Sequence, residues 1–560
     1  MGRKNRIVEY AIESLNDKDR DLLRLIAILP SAADIKFLEA LNPHLPPEIS
    51  SPEKREDPRS AWDWKRLLKK EPSPAAREWE QYELDVAARL DSEAFRNAPR
   101  LLAESLGNLA RWGLLQHDPE TPFYDLHPVV RSVVVRGTEP GETERLGLGA
   151  VDHFTARAPM GNRSARSLQD LAIPIRICKL YISMQDWENA AAVLIDDLQY
   201  ALTNNLEEYN AYLELAQAIL GSLPTTEWPK RPSRTYADTI AYEAARCLSL
   251  TGHPREYKMI NDLFLARSLA EEDVRWLSIC VNNEIKTGSL SKKNMAVSVC
   301  SSLTNLSGIH DLQFSALLER YRLYILLGDF VQAEELWQEL GGLGFDWPKR
   351  RQGQPVFWRC CQLSIENRLT EEELAAGLDL TIRHGNRYYQ RRFLQLSAEW
   401  ALRQGRLDKA RLDCEQAIQL ARSSRVLDSV AEPLALLIEA KMDPDLAEDF
   451  RRRVEAIEAA GALNMAYAPE IWEALGETEK AIEYATKYYT WAWDEGEPYV
   501  YRDQLNFATA LLHRLGAPIP ALPPFDIAKA EKFPWQGAVE ALIAKKQREW
   551  DDDLSSTVDA

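Results

Sequence analysis

The 560-residue sequence predicts an all-α superhelix of stacked helix pairs, preceded by a small N-terminal domain of mixed character. Three observations carry this reading. A Gly…Ala spacing recurs, stretches of helical periodicity fill the intervals, and the first 150 residues break the pattern.

In three segments a Gly stands five residues before an Ala: Gly328 and Ala333, Gly405 and Ala410, Gly476 and Ala481. Gln185 and Ala190 follow the same grammar, with Gln in the Gly place. A Gly ends a helix well because the closing residue is left-handed, a conformation that clashes with a Cβ. A polar residue then starts the turn, and an apolar one follows at Trp187, Phe330 and Leu407. The Ala lies in the next helix, where a small side chain lets two helices approach closely. Weaker copies stand at Gly252, at Gly288 with Ala296, at Asn367, and at Met442 with Ala447. The turns recur about every 34–40 residues, while 198–235 fits poorly. This pattern resembles the tetratricopeptide repeat (TPR), whose helix pairs repeat at about 34 residues.

Between the turns, 316–327, 333–340, 393–403 and 410–422 read as amphipathic helices. Trp187, Trp276, Trp337, Trp358, Trp400, Trp472, Trp491 and Trp493 fall mostly at helical spacing and read as repeat core rather than as ligand platforms. The TPR-like array is placed at 151–525 and a C-terminal extension at 526–560. The prolines at 518, 520, 523 and 524 predict an extended stretch lying against the last repeats, followed by a final helix with a frayed end.

The first domain, 1–150, opens with an apolar-striped helix at 17–29, capped by Asn16 or Asp17, and a short helix at 34–41. A Pro-rich insertion at 42–99 is expected as a flexible or partner-facing loop carrying a helical patch at 76–90. A helix at 101–112 follows, then a hairpin of 114–116 and 123–126 across Asp118, Pro119 and Glu120. Helix, helix, long loop, helix, hairpin is the plan of a winged helix.

Three strings sharpen that plan: Leu-Leu-Arg-Leu-Ile-Ala-Ile-Leu-Pro at 22–30, Leu-Gly-Asn-Leu-Ala-Arg-Trp-Gly-Leu-Leu at 106–115, and Tyr-Asp-Leu-His-Pro-Val-Val-Arg at 124–131. Together they resemble the winged-helix domain of bacterial STAND-class (NB-ARC-like) signalling NTPases. The stretch 167–190 is similar to the start of the TPR arrays attached to them. The resemblance implies a domain that follows a nucleotide-binding domain and precedes a ligand-sensing array. It also implies that His127 contacts the β-phosphate of a nucleotide held by such a domain, in cis or in trans. Pro128 departs from the version with Asp at that place. On the residues alone, His127 packs or caps the helix that begins at Pro128, a favoured first helical position.

Nothing in the sequence matches Gly-x-x-x-x-Gly-Lys-Ser/Thr, the loop whose backbone amides cradle phosphates. The chain is therefore expected to bind no nucleotide by that route, to carry no cofactor and to be no enzyme. It reads as the sensor portion of a signalling or defence switch whose motor lies elsewhere. Catalytic and metal-ligating residues are expected to be absent: the eight His are dispersed, with no His-Glu-x-x-His and no zinc spacing. Acidic runs such as Glu334-Glu335 and Glu371-Glu372-Glu373 read as solvated helix faces. The seven Cys contain no Cys-x-x-Cys pair, and the adjacent Cys360 and Cys361 point apart on a helix, so buried thiols in a reducing, cytoplasmic compartment are expected.

No apolar run reaches membrane length. A formal charge of −18 disfavours nucleic acid as partner, since phosphate binding draws on clustered Lys and Arg. The rival reading is a winged-helix DNA-binding regulator, with 101–112 as recognition helix. That helix is rich in Leu and Ala and offers few groups that read base edges. The basic runs 349–351, 391–392 and 451–453 read as charges paired with neighbouring acids. The expected partner is a protein or peptide docked on the array, whose concave surface such stacks present.

Overall fold

In a computed structural model of the chain, helices make up most of the described segments, and the named strands form one three-stranded sheet. The structure describes residues 2–49, 74–117, 121–157, 165–223, 231–285, 288–342, 353–423, 430–443, 448–461 and 463–558. Residues 50–73 of the expected insertion, the hairpin tip 118–120, the basic run 349–351 and Ala447 lie outside the described residues. Two units emerge: Met1–Met160 with Leu171–Val193, and Gly161–Asp170 with Leu194–Ala560.

The first unit runs α1 (Gly2–Glu13), α2 (Asp17–Ile28), β1 (Ala33–Asp34), α3 (Ile35–Ala40), α4 (Pro74–Asp91), α5 (Glu93–Arg111), β2 (Leu115–His117), β3 (Phe123–Leu126), α6 (Pro128–Arg136), α7 (Pro140–Thr155), α8 (Ala172–Ser183) and α9 (Trp187–Val193). Asn16 is the cap of α2, its Oδ1 accepting from the Asp19 amide at 2.8 Å. The apolar stripe Leu22, Leu23, Leu25 and Ile26 is buried, as the period requires. Helix α5 starts at Glu93, well before 101, and runs through Pro99. Proline normally stops a helix. Here Ser92 caps the start and Ala98, Leu102, Leu106 and Leu109 are buried, which outweighs one lost hydrogen bond.

The hairpin forms as expected, but a third strand joins it: β1 pairs antiparallel with β3, giving the order β1-β3-β2. Two residues are too short to show a period of two, so β1 left no signal in the sequence.

In the second unit, the start of the stretch 198–235 departs from regular α-helix: the backbone winds as π-helix over Leu194–Leu198 and Ala201–Asn205. Regular helices follow: α10 (Tyr209–Leu220), α11 (Arg234–Leu250), α12 (Pro254–Ala270), α13 (Val274–Glu284), α14 (Leu290–Ser307), α15 (His310–Leu327), α16 (Phe330–Gly342), α17 (Gly353–Ile365), α18 (Glu371–Arg383), α19 (Arg387–Arg403), α20 (Leu407–Ser423), α21 (Ala431–Met442), α22 (Glu448–Ala459), α23 (Ala468–Ala474), α24 (Thr478–Trp493), α25 (Arg502–Arg514) and α26 (Gln536–Val558). Successive helices pack as antiparallel pairs, a TPR-like all-α superhelix.

The turns are built as the Gly…Ala spacing demands. Gly328, Gly405 and Gly476 have φ of 75°, 72° and 76°, and Gln185 accepts the same left-handed state at 60°. The amide that follows each donates five residues back: Asp329 to Tyr324, Arg406 to Ala401, Glu477 to Trp472 and Asp186 to Tyr181, all at 2.9 Å. This pattern satisfies carbonyls that a helix end leaves unpaired. Ala190, Ala333, Ala410 and Ala481 are fully buried where the paired helices meet. The prolines of 518–524 run without regular structure, as expected; Trp493 Nε1 donates to the Pro523 carbonyl at 2.8 Å.

Polar contacts also join parts of the array far apart in sequence. Arg391 pairs with Glu207 at 3.0 Å, both buried. Asp494 and Glu495 accept from the Leu290 and Ser291 amides at the start of α14, at 2.7 and 3.0 Å. Lys293 donates to the Tyr501 hydroxyl at 2.9 Å.

Candidate functional site

Two places are candidates for function, one in each unit. In the first, the string 124–131 surrounds the start of α6. His127 is the N-cap residue: its Nδ1 accepts from the Val129 amide at 3.2 Å, and the ring is exposed. Arg131, one turn on, reaches the C-terminal end of α2. One guanidinium nitrogen donates to the Ile26 and Ala27 carbonyls at 3.1 and 3.0 Å and also to that of Leu29, while the other meets Asp125 at 2.6 Å. A cation at the carboxyl end of a helix satisfies orphan carbonyls and opposes the negative pole of the dipole. Asn108 of the second string bonds Asp19 at the start of α2 at 3.2 Å. The three strings therefore hold one another in place, a reason for their co-occurrence independent of any ligand.

In the second unit, the inner layer of helices surrounds a cavity of 970 Å³. Its walls come chiefly from the first helix of each pair, α15, α17, α19, α21 and α23, with α24 and α25 completing it. The second helices α16, α18, α20 and α22 contribute no lining residue. One wall presents Phe357 and Trp358; another presents Tyr488, Trp491 and Phe507. Trp491 stacks between Tyr488 and Tyr501, with centroids at 5.7 and 4.7 Å, yet remains 45% exposed, and Phe507 is 41% exposed. Trp358 and Trp491 are thus not simply repeat core, as the sequence suggested; both face the cavity. Trp472 is core, fully buried.

Helix α19 lays a polar stripe along this cavity: Arg392, Gln395, Glu399 and Arg403, at intervals of three or four residues that put them on one face. Glu399 accepts from the Tyr467 hydroxyl. Lys441 and Glu470 pair at 3.1 Å. Burial pushes the Asp503 carboxyl above its ordinary range, with the Arg403 charge opposing the shift. The Gln504 Oε1 is buried with no protein partner.

The basic runs divide. Arg451 pairs with Glu477 at 2.6 Å and Arg453 with Glu439 at 2.9 Å, matching the expectation of paired charges. Arg391 is paired too, with distant Glu207. Arg392 has no ion pair among the described residues, and only its place in the tertiary structure distinguishes it from its neighbour. A cation next to another in a string carries no signal of which one faces inward.

The acidic runs have structural tasks. Glu373 closes a capping box with Thr370, Glu371 meets Arg406 at 2.8 Å, and Glu334 meets Arg359 at 2.5 Å. The Cys360 thiol is pushed up to about 12 by burial, and burial raises Cys361 further, so both stay protonated and unreactive. Among the described residues no His, Cys, Asp and Glu cluster could hold a metal ion, and no helix is long and apolar enough to cross a membrane.

No family model matches the chain, and no curated protein matches it. Among solved structures it is similar to a STAND protein (a signal transduction ATPase with numerous domains) with a tetratricopeptide repeat sensor from Pyrococcus horikoshii. The identity is 12% and the TM-score 0.38, over 99% of this chain and 66% of that one. The chain thus spans just under two thirds of that protein's length.

Proposed function

We propose that the chain is a sensor module in which the cavity of the array receives a segment of a partner protein, within a STAND-like signalling or defence switch. The observation that carries this is the pair of aromatic walls, Phe357–Trp358 and Tyr488–Trp491–Phe507, around a cavity large enough for several side chains. Large aromatics left accessible in a concave site, with a few polar groups between them, are the usual composition of a binding pocket. The Gln504 side-chain amide, whose Oε1 has no protein partner, offers an acceptor that suits a peptide backbone amide.

In this proposal the first unit is a winged-helix-like adaptor between the array and a nucleotide-binding domain, upstream or on another chain. His127 is the residue that would approach the β-phosphate there, and its exposure at the start of α6 supports that role. The DNA-binding alternative draws less support from α5. Arg96 pairs with Asp91, Arg100 with Glu104, and Arg111 bonds Asn108, so its cations are already engaged.

A photo-crosslinking amino acid at Phe507 tests the docking site, with Ile382, exposed and outside the cavity, as control. In the cells that make the protein, discrete crosslinked species are expected from position 507 and not from 382. Equal yields from both, or none from 507, would remove the cavity as the docking site.

A further inference from the structure

The stripe on α19 carries a more specific message about the ligand. The chain has 86 acidic residues against 68 basic ones, so a carboxylate is usually at hand for any guanidinium. At ion-pair distance Arg403 on the same stripe meets no carboxylate among the described residues, while Arg359, Arg391, Arg406, Arg451, Arg453, Arg502 and Arg514 each meet a Glu. Arg392 does not. Among the described residues no carboxylate reaches it at ion-pair distance, and its one close contact is the face of Phe357, 5.1 Å from ring centroid to guanidinium carbon.

A second guanidinium stands near it. Arg322 lies over the ring of Trp358 at 4.7 Å, its Nε is buried without a hydrogen-bond partner, and its one carboxylate contact, to Glu319, is long at 3.4 Å. The nearest acid on the stripe, Glu399, stands two turns along α19 and is engaged by Tyr467. At the far end, Arg403 has Asp503 within its field and Lys441 is matched by Glu470. The cavity is therefore uneven: Lys441 is matched by Glu470, whereas Arg392 meets no carboxylate at ion-pair distance among the described residues and has only the field of Glu399, two turns away.

A guanidinium held on an aromatic face presents its donor edge in a fixed plane, the geometry that takes a carboxylate through two parallel hydrogen bonds. A semi-enclosed cation left without a counter-charge is unfavourable unless the ligand supplies one. We propose that Arg392 is the specificity residue of the cavity, selecting a peptide segment that places an Asp or Glu carboxylate between the Phe357–Trp358 wall and α19.

This rests on the reading of the cavity as a peptide-docking site, and the test separates the two. A displayed library of random twelve-residue peptides is selected on the full chain, and the winners are measured against wild type, Arg392→Gln, Arg392→Lys and Trp358→Ala with Phe507→Ser. The expected result is enrichment of one acidic position, with binding weakened roughly thirty-fold or more by Arg392→Gln. Arg392→Lys restores part of it, since a point charge lacks the planar fork. Neutralising the acidic position of the peptide costs wild type a similar factor and costs Arg392→Gln little, the non-additivity that marks a direct pair. A thermal melt of Arg392→Gln that matches wild type shows that the loss is not unfolding.

Peptides that bind and are lost on Trp358→Ala with Phe507→Ser, yet carry no acidic preference and ignore Arg392→Gln, overturn the proposal and leave docking intact. Failure to select any peptide sensitive to the cavity substitutions removes both.

Discussion

In the first unit, one apolar core gathers side chains from Ala11 to Leu180, so that α2, α5, α6, α7 and α8 share it. The array is built differently. From Phe314 onward its described cores are smaller and each is confined to a few neighbouring helices: Phe314 to Leu340, Phe357 to Leu396, Leu394 to Ile438, Leu436 to Ala481 and Ala485 to Leu512. Distant parts of the array are tied by polar contacts such as Glu207–Arg391 and Asp494–Leu290. The difference teaches where each unit gives way. A single core fails as a whole, whereas a string of nearest-neighbour cores fails locally, and its polar ties are the links that decide how far the failure spreads.

The largest effect is expected at the buried tie. Arg391→Ala strands Glu207 without its partner and should cost about 3–5 kcal/mol, with amide exchange rising first over 200–208. Replacing both, Arg391→Met with Glu207→Gln, should recover most of the denaturant midpoint. If Arg391→Ala costs less than about 1 kcal/mol, as exposed pairs do, the ties are idle and the contrast fails. Next comes Ile26→Ala in the shared core, at about 2–5 kcal/mol. Exchange should accelerate across α2, α5 and α6 together; acceleration limited to α2 would show that the core is not one cooperative body.

Ala410→Leu overfills the junction of α19 with α20 and should cost about 1–3 kcal/mol, confined to those helices and their immediate neighbours. Gly405→Ala meets no neighbouring atom, so the strain of a left-handed non-glycine residue is its whole effect, about 1 kcal/mol. A larger loss there would mean that the turn does more than reverse the chain.

The smallest effect concerns the cavity. Because burial raises the folded-state pKa of Asp503, the stability it contributes is present below the ordinary aspartate value of about 3.9 and is lost as pH rises through the raised folded value. Asp503→Asn should therefore melt slightly higher than wild type at neutral pH, with the gain vanishing below about pH 4. A gain that persists in acid would assign it to packing rather than to charge.

Much of this contrast was legible in the residues. Gly328, Gly405, Gly476 and their alanines mark turn and contact because a left-handed closing residue and a small side chain are local requirements, met within six positions. The cap at Asn16 is local in the same sense. Helix α5 was read too short because Pro99 is a strong local stop signal, and the packing that overrides it comes from α2 and α3. Strand β1 was missed because two residues take their conformation from β3, not from their own pattern.

The candidate site divides along the same line. That the chain would hold an array of helix pairs, and that its aromatics would fall at helical spacing, followed from sequence. Which aromatics face inward did not: Trp472 and Trp491 look alike in a string, and one is fully buried while the other is 45% exposed at the cavity. Arg391 and Arg392 are adjacent, and a 100° turn of one helix sends the first to Glu207 and the second into the cavity unpaired.

The sequence by itself determined the helices, their turns and the small-residue seams, because each depends on interactions within a few residues. Only the tertiary structure decided the ties across the array, the aromatic walls and the unmatched charge of Arg392. Those depend on which helices the superhelix brings face to face, which is a sum over many turns that no single segment records.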